Sequence, residues 1–175
     1  MPFKHDTGVY NVHASVAAWL QAQLTANQPP LVTGTLTLNL DYPEKPLAPP
    51  TASLSWLGGG SDVTDFPGGQ LEDGKAGGWR WELCAIDLWV SRTATNFRAQ
   101  LNQLVDDVTK ALATLRGTGS GLVIYDFYTN ASAPAALAYL VRYDWAEVRE
   151  TAPDPNPDIA RKRIVTRLSW VERNS

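Results

Sequence analysis

The most constraining feature of the sequence is a run, Trp79–Val90, that is apolar on both sides of a β-strand. One side carries the large residues Trp79, Trp81 and Trp89. The other side carries smaller apolar residues: Cys84, Ile86, Leu88 and Val90. Successive side chains of a strand point to opposite faces, and a strand that is apolar on both is normally central and covered on both. We therefore expect helices over one face, and either helices or another subunit over the other.

Two amphipathic helices are predicted around this strand. The first begins after an N-cap at Asp6 or Thr7 and runs to about Ala26, and the second begins after an N-cap at Asn96 and runs to about Arg116. In both segments the apolar residues recur at helical spacing and form one stripe. Each helix therefore has one face to bury.

Alternating apolar and polar residues predict the other strands. Residues 36–40 and 52–56 precede the central strand, and 122–128, 137–148 and 159–171 follow the second helix. Consecutive strands with short links usually pair as an antiparallel meander. The order predicts an α+β fold, in which two helices pack on a mainly antiparallel sheet of about five to six strands. Its 175 residues suit a single domain, 1–175.

The segment 58–78 is predicted to be a long flexible loop because it contains eight glycines. Its apolar anchors include Phe66 and Leu71, and its acidic residues include Asp62 and Asp65. Such a segment packs poorly on its own domain and is suited to ordering on a partner. The alternative is a passive surface insertion.

No set of residues with catalytic or ligand-binding spacing emerges. The two histidines, His5 and His13, have no evident companions for a metal site, and Cys84 lies among apolar neighbours, where a thiol is usually inert. The glycine-rich 117–121 leaves a helix and enters a strand, the reverse of a phosphate-binding loop. We therefore predict a protein that is not an enzyme and has no cofactor and no metal.

Charge is distributed unevenly along the chain. The net charge is −3, which does not favour nucleic-acid binding. Residues 159–175 nevertheless hold five basic side chains against Glu172. Asp87 interrupts an apolar strand face and needs a basic partner if it is buried, supplied by Arg80, Arg92 or the C-terminal strand. We interpret Asp87 as part of a structural or intersubunit ion pair.

The order of these elements resembles the tail terminator (tail completion) proteins of long-tailed bacteriophages. The similarity lies in the strand Leu83–Trp89, the helix 96–116, the strands Leu122–Tyr125 and Tyr139–Tyr143, and the last strand, Ile164–Val171. It covers about two-thirds of the chain and is one of element order and hydrophobic pattern. Residues 41–78 depart from it through a proline-rich connector and the glycine-rich segment.

The resemblance implies a structural virion protein. Such proteins form rings, usually hexamers, that cap the finished tail tube, stop its growth and offer a surface to the neck of the head. The implied partners are other copies of the chain, the tail tube protein and a neck or head-completion protein, while DNA passes through without specific binding. The implied place is the head-proximal end of the virion tail, assembled in the host cytoplasm without a membrane.

Residue candidates follow from these expectations. We expect subunit contacts to involve the tryptophan-bearing strand together with the charged positions that face it: Trp79, Trp81, Trp89, Asp87 and Arg167. We expect the glycine-rich segment to dock on the tube or neck through Phe66, Leu71, Asp62 and Asp65.

Two other functions stay open at this point. The first is a head–tail connector or another minor tail component. The second, from a different class, is a small-ligand binder or enzyme that uses the segment 58–78.

Overall fold

The computed structural model describes residues 9–27, 32, 36–40, 49–62, 77–116, 121–149 and 156–173. The elements are α1 (Val9–Ala26), β1 (Thr37–Leu40), β2 (Thr51–Asp62), β3 (Gly77–Ser91), α2 (Phe97–Ala113), β4 (Leu122–Asp126), β5 (Ala135–Arg149) and β6 (Ile159–Arg173). The six strands form one sheet in the order β1-β2-β3-β6-β5-β4. Only β1 and β2 pair in parallel, and the other neighbours are antiparallel.

This arrangement is the expected α+β one, and the sheet is mainly antiparallel, as predicted. Over the described residues it has six strands and is mixed, because β1 lies parallel to β2. The predicted meander is present, because β5 lies between β4 and β6. The chain then places β6 beside β3, so that two of the three longest strands are neighbours at the centre of the sheet.

Both helices pack on one face of the sheet, which we call the helix face. On β3 this face is formed by the even-numbered Cys84, Ile86, Leu88 and Val90, which share one buried cluster with the apolar stripes of α1 and α2. Burying large aliphatic side chains in this way stabilises a fold by roughly 1.5–3 kcal/mol each. The helix face is therefore the hydrophobic core of the domain.

Polar side chains of α1 also hold the edge strand β4. The backbone N–H of Tyr125 donates to Ser15 Oγ at 2.8 Å, and the N–H of Tyr128 donates to Asn11 Oδ1 at 3.0 Å. Asn11 and Ser15 are both buried. An exposed sheet edge can pair with other chains. Here two backbone N–H groups at the end of β4 find their hydrogen-bond acceptors within the domain instead.

The second helix begins where the sequence predicts, but not by the predicted cap. Asn96 is the N-cap residue, yet its side chain makes no capping hydrogen bond and its backbone is left-handed, at φ 61°. The α-helix ends at Ala113, a few residues before the expected Arg116. For the first helix, residues 1–8 lie outside the described part, so the predicted caps Asp6 and Thr7 do too.

The glycine-rich segment is strand at both ends rather than loop. Gly58, Gly59 and Gly60 belong to β2, and Gly77 and Gly78 belong to β3. The register shifts between Trp56 and Gly58, where φ is +104°, a value that favours glycine. A Cβ on Gly59 would collide with the carbonyl oxygen of Trp81. These glycines therefore let β2 approach β3 closely. Residues 63–76, with Phe66, Leu71 and Asp65, lie outside the described residues.

Candidate functional site

The second face of the sheet carries most of the charged and aromatic residues singled out by the sequence. Residues directly opposite each other in an antiparallel pair point to the same side. The register therefore aligns Ser53, Asp87, Arg163 and Arg149 in one row across β2, β3, β6 and β5. Among the described residues no helix packs over these rows, and we call this side the arginine face.

Two further rows belong to this surface. One aligns Gly58, Leu83, Arg167 and Trp145, and the next aligns Gly60, Trp81, Ser169 and Arg142. The alternate positions of β6 supply Arg161, Arg163 and Arg167 at period two, the spacing that places side chains on one side of a strand.

Asp87 anchors the arginine face from within. Its carboxylate is fully buried and accepts three hydrogen bonds: from Arg161 Nε at 2.9 Å, from Arg163 Nε at 2.9 Å and from Arg163 Nη2 at 2.8 Å. A buried carboxylate requires such partners, and the two-point contact with Arg163 fixes the guanidinium plane. The expected ion pair therefore exists, with the C-terminal strand as the source of both cations.

The two nearer basic candidates for Asp87 serve elsewhere. Arg80 contacts Glu82 on the helix face, with 3.3 Å between Nη2 and Oε1. Arg92 is exposed beyond the end of β3, and its backbone N–H donates to the carbonyl of Asp158.

Trp81 and Arg167, both predicted as contact residues, touch each other. The Arg167 guanidinium lies 4.7 Å from the centre of the Trp81 ring, within the range of a cation–π interaction. Its Nε lies 3.3 Å from an Asp144 carboxylate oxygen, and that same carboxylate accepts a hydrogen bond from Ser169 Oγ. On its other side the Trp81 ring runs beside Gly60, where a Cβ would approach within 3.2 Å. Trp81 is thus held in one orientation while remaining half-buried.

Trp89 differs from Trp81 in being buried by its own chain. It is 5% exposed, and the Arg161 guanidinium lies 5.7 Å from its ring centre. In the single chain Trp89 therefore supports the surface from beneath, and its contact with another subunit stays a prediction. The backbone of Trp79 pairs with Val171, and its side chain lies outside the described part of the chain.

Exposure increases across the arginine face from β3 toward β5. The side chain of Asp87 is fully buried, whereas those of Arg149 and Glu147, which pair with each other on β5, are 52% and 57% exposed. Trp145, on the same strand, is 38% exposed. Rigid, partly exposed Trp and Arg side chains are the residue types that dominate the energetics of protein–protein interfaces.

Trp145, Arg161 and Arg163 are contact candidates that the sequence reasoning missed as individual residues. The period-two spacing of arginines in 161–167 was the available signal, since it places three guanidinium groups on one side of a strand. No comparable signal marks Trp145, because the register shift between Tyr143 and Trp145 decides which way it points.

Two residues outside this surface, Cys84 and His13, have side chains of a type that can react or bind metals, and both make structural contacts. Burial, and secondarily the charge of Glu82, raises the pKa of the Cys84 thiol, which keeps it protonated. His13 stacks on Trp56 at 3.6 Å between ring centres and contacts Glu82 at 2.5 Å, which ties α1 to β2 and β3. Within the described ranges no group of three His, Cys, Asp or Glu side chains could hold a metal ion.

No helix in the described part of the chain is long and apolar enough to cross a membrane. A small dent between α1 and α2 is lined by residues that include Leu24 and Val108.

Comparison with solved structures gives a structural likeness, whereas comparison by sequence gives none. No protein-family model matches the chain, and no curated protein matches its sequence. Among solved structures, a chain of the "Virion of native gene transfer agent (GTA) particle" is similar, with a TM-score of 0.43 and 18% sequence identity. The match covers 95% of this chain and 99% of that one.

Proposed function

We propose that this protein is a structural, non-enzymatic virion subunit that assembles with copies of itself into a ring. The observation that carries the proposal is the arginine face, a sheet surface with partly exposed tryptophans and arginines over which no described helix packs. A domain that leaves such a surface outside its own core has a place for another protein to bind.

The finer role that we propose is that of a tail terminator. In this role a hexameric ring caps the tail tube, stops its growth and provides the surface to which the neck of the head attaches. The sequence resemblance to tail terminators supports this role. The net charge of −3 is also compatible with a passage through which DNA slides without binding.

The solution mass of the purified protein tests self-assembly. We expect a ring of several copies under sedimentation, whereas a monomer that gains thermal stability with a small ligand would favour the ligand-binding alternative. Because some rings assemble only on their tube, the mass is measured with and without purified tail tubes. A monomer under both conditions contradicts the proposal.

Electron micrographs of phage particles that lack the protein test the terminator role. Termination predicts tubes of uncontrolled length that fail to join heads. Tails of normal length that are correctly joined would eliminate this role. Tails of normal length that stay detached would favour a head–tail connector instead.

A further inference from the structure

The second half of β5 lies at an edge of the sheet. The ladder between β4 and β5 ends at Val141, while β6 pairs with β5 from Arg142 to Arg149. The backbone N–H of Tyr143 donates to the carbonyl of Leu115 at 3.5 Å. Farther along β5, none of the described strands pairs with the side of residues 145–149 that faces away from β6. We call residues 145–149 the β5 edge.

The backbone direction at the β5 edge follows from one hydrogen bond. Thr166 Oγ1 on β6 donates to the carbonyl oxygen of Trp145 at 2.7 Å, so this carbonyl points toward β6. Because backbone groups alternate in direction along a strand, the N–H and C=O groups of Ala146 and Val148 point the other way. Val148 is 43% exposed. Backbone groups that point out of a sheet edge are a template to which another strand adds.

The charges of the β5 edge are compatible with a second copy of the same edge. Natural edge strands commonly carry charged side chains, often lysines, that discourage pairing with another strand. The β5 edge instead carries opposite charges, Glu147 and Arg149, two residues apart on one side of the strand and paired at 3.0 Å. When two such strands run antiparallel, each charge can therefore meet its opposite.

We propose that the β5 edge binds the β5 edge of a second copy of this chain, antiparallel and about a two-fold axis at Val148. The two Val148 residues then lie opposite each other and exchange two backbone hydrogen bonds, because both direct their N–H and C=O groups outward. Glu147 of each copy lies opposite Arg149 of the other, in the type of pair whose side chains approach most closely. The sheet of one copy thereby continues into the sheet of the next.

The charges select one register for this contact. A shift that keeps outward-pointing backbone groups opposite one another moves the two-fold axis by one residue. Depending on its direction, such a shift places Glu147 opposite Glu147 of the second copy, or Arg149 opposite Arg149. Like charges directly opposite each other destabilise a strand pair. An axis at Val148 avoids this repulsion, because it places an apolar residue at the axis and matched charges on either side.

This contact goes beyond the proposed ring. The same surface serves both copies, so the contact is isologous and closes at two copies, whereas a ring requires a head-to-tail contact between unlike surfaces. The β5 edges therefore join copies two by two, in addition to the contact that closes a ring. Because opposed residues of an antiparallel pair point to the same side, the arginine faces of the two copies lie side by side on one continuous sheet.

Disulfide trapping tests the contact. Opposed Cα atoms of a hydrogen-bonded antiparallel pair lie about 5.5 Å apart, a distance that a disulfide bridges. With oxidised glutathione as a mild oxidant, we expect Val148→Cys to form covalent pairs of two chains. Their yield on a denaturing gel should be at least about tenfold that of Leu40→Cys, an exposed position on β1. The native Cys84 is buried and does not compete.

Charge changes added to Val148→Cys show whether pairing depends on the proposed register. Glu147→Lys and Arg149→Glu each place like charges opposite one another, so we expect either change to lower the yield at least about tenfold. An equimolar mixture of the two restores opposite charges in mixed pairs, and we expect a yield close to that of Val148→Cys alone. Asp106→Lys and Arg98→Glu make the same charge changes at exposed positions of α2 and should leave the yield unchanged.

The outcomes separate this contact from the ring. A Val148→Cys yield no higher than that of Leu40→Cys overturns the contact, and so does a yield that the charge changes do not lower or that the mixture does not restore. Rings on tail tubes without these pairs would leave the proposed function standing. Pairs of a chain that forms no ring, in solution or on tubes, would contradict the ring and leave this contact standing. Circular dichroism verifies that each variant is folded.

Discussion

The two faces of the sheet are built from alternate residues of the same strands but are stabilised by different interactions. On the helix face of β3, Cys84, Ile86 and Leu88 are buried against α1 and α2. On the arginine face, Ala85 and Trp89 are also buried, but they stand outside that apolar cluster and lie among charged neighbours. One face is sealed by the chain's own helices, and the other is organised by ion pairs and cation–π contacts.

The difference shows that burial alone does not identify a core. Asp87 is as inaccessible as Leu88, its neighbour in sequence. Burial of Asp87 is tolerated because two guanidinium groups compensate its charge, whereas burial of Leu88 stabilises the fold by removing apolar area from water. Among the described residues no helix packs over these ion pairs, and we propose that a partner binds at the exposed part of this face, on β5.

The largest expected effect comes from removing the buried charge of the arginine face. Asp87→Asn leaves Arg161 and Arg163 without their carboxylate, and we expect the free energy of unfolding to fall by about 4 kcal/mol. Glu147→Gln is the matched control, since its pair with Arg149 is exposed, and should cost less than about 1 kcal/mol. Denaturant unfolding measures both, and equal costs for the two variants would contradict the anchoring role of Asp87.

A cavity in the helix face should cost slightly less. Leu88→Ala removes a fully buried side chain from the core, and we expect the free energy of unfolding to fall by about 3 kcal/mol. Val148→Ala, at a largely exposed position of β5, should cost less than about 1 kcal/mol. Leu88→Ala should leave the affinity between folded copies unchanged, so impaired association of the folded variant would show that the two faces are not independent.

Trp81→Ala should separate assembly from folding. Trp81 is half-buried and stacked by Arg167, so its loss removes a preoriented anchor, and we expect association to weaken by about 2 kcal/mol or more. Trp89→Ala should instead lower the free energy of unfolding, because Trp89 is buried within the chain. Sedimentation and denaturant unfolding distinguish the two, with Leu40→Ala as an exposed control. Normal assembly of Trp81→Ala would remove Trp81 from the contact.

The smallest expected effect concerns Asp126, the last residue of β4. Hydrogen bonds from the Thr129 side chain and backbone hold the pKa of Asp126 below its usual value. The charged carboxylate therefore stabilises the fold above the unfolded pKa, about 3.9, and this contribution disappears as the pH falls through the lower folded pKa. We expect Asp126→Asn to be slightly less stable than the wild type at pH 7 and equally stable near pH 2. A difference that persists at low pH would contradict this assignment.

Periodicity was sufficient to predict the elements of both faces. The double-sided run Trp79–Val90 placed β3 at the centre of the sheet, and the helical stripes located α1 and α2 to within a few residues. A buried Asp87 needs a cationic partner, and the sequence predicted the C-terminal strand as one possible source of that partner. These inferences succeed because they depend on local patterns and on the cost of burying polar groups.

Features that depend on contacts distant in sequence could not be predicted in the same way. Glycine is a poor strand former, so Gly58–Gly60 indicated a loop. The positive φ at Gly58 and the close approach of β3 to Gly59 and Gly60 explain their place in β2. The contact between Trp89 and Arg161 likewise joins residues seventy-two positions apart in the chain. Register between strands, rather than the pattern within one strand, determines which residues meet.

The most direct test of the central claim, that the arginine face is the assembly surface, is side-chain labelling of the protein in its free and assembled states. Trp145 is 38% exposed in the single chain, and we expect its labelling, together with that of Trp81, to fall severalfold on assembly. Leu40, exposed on the edge strand β1, should be labelled equally in both states. Labelling of Trp145 and Trp81 that is unchanged between the free and assembled states would contradict the account.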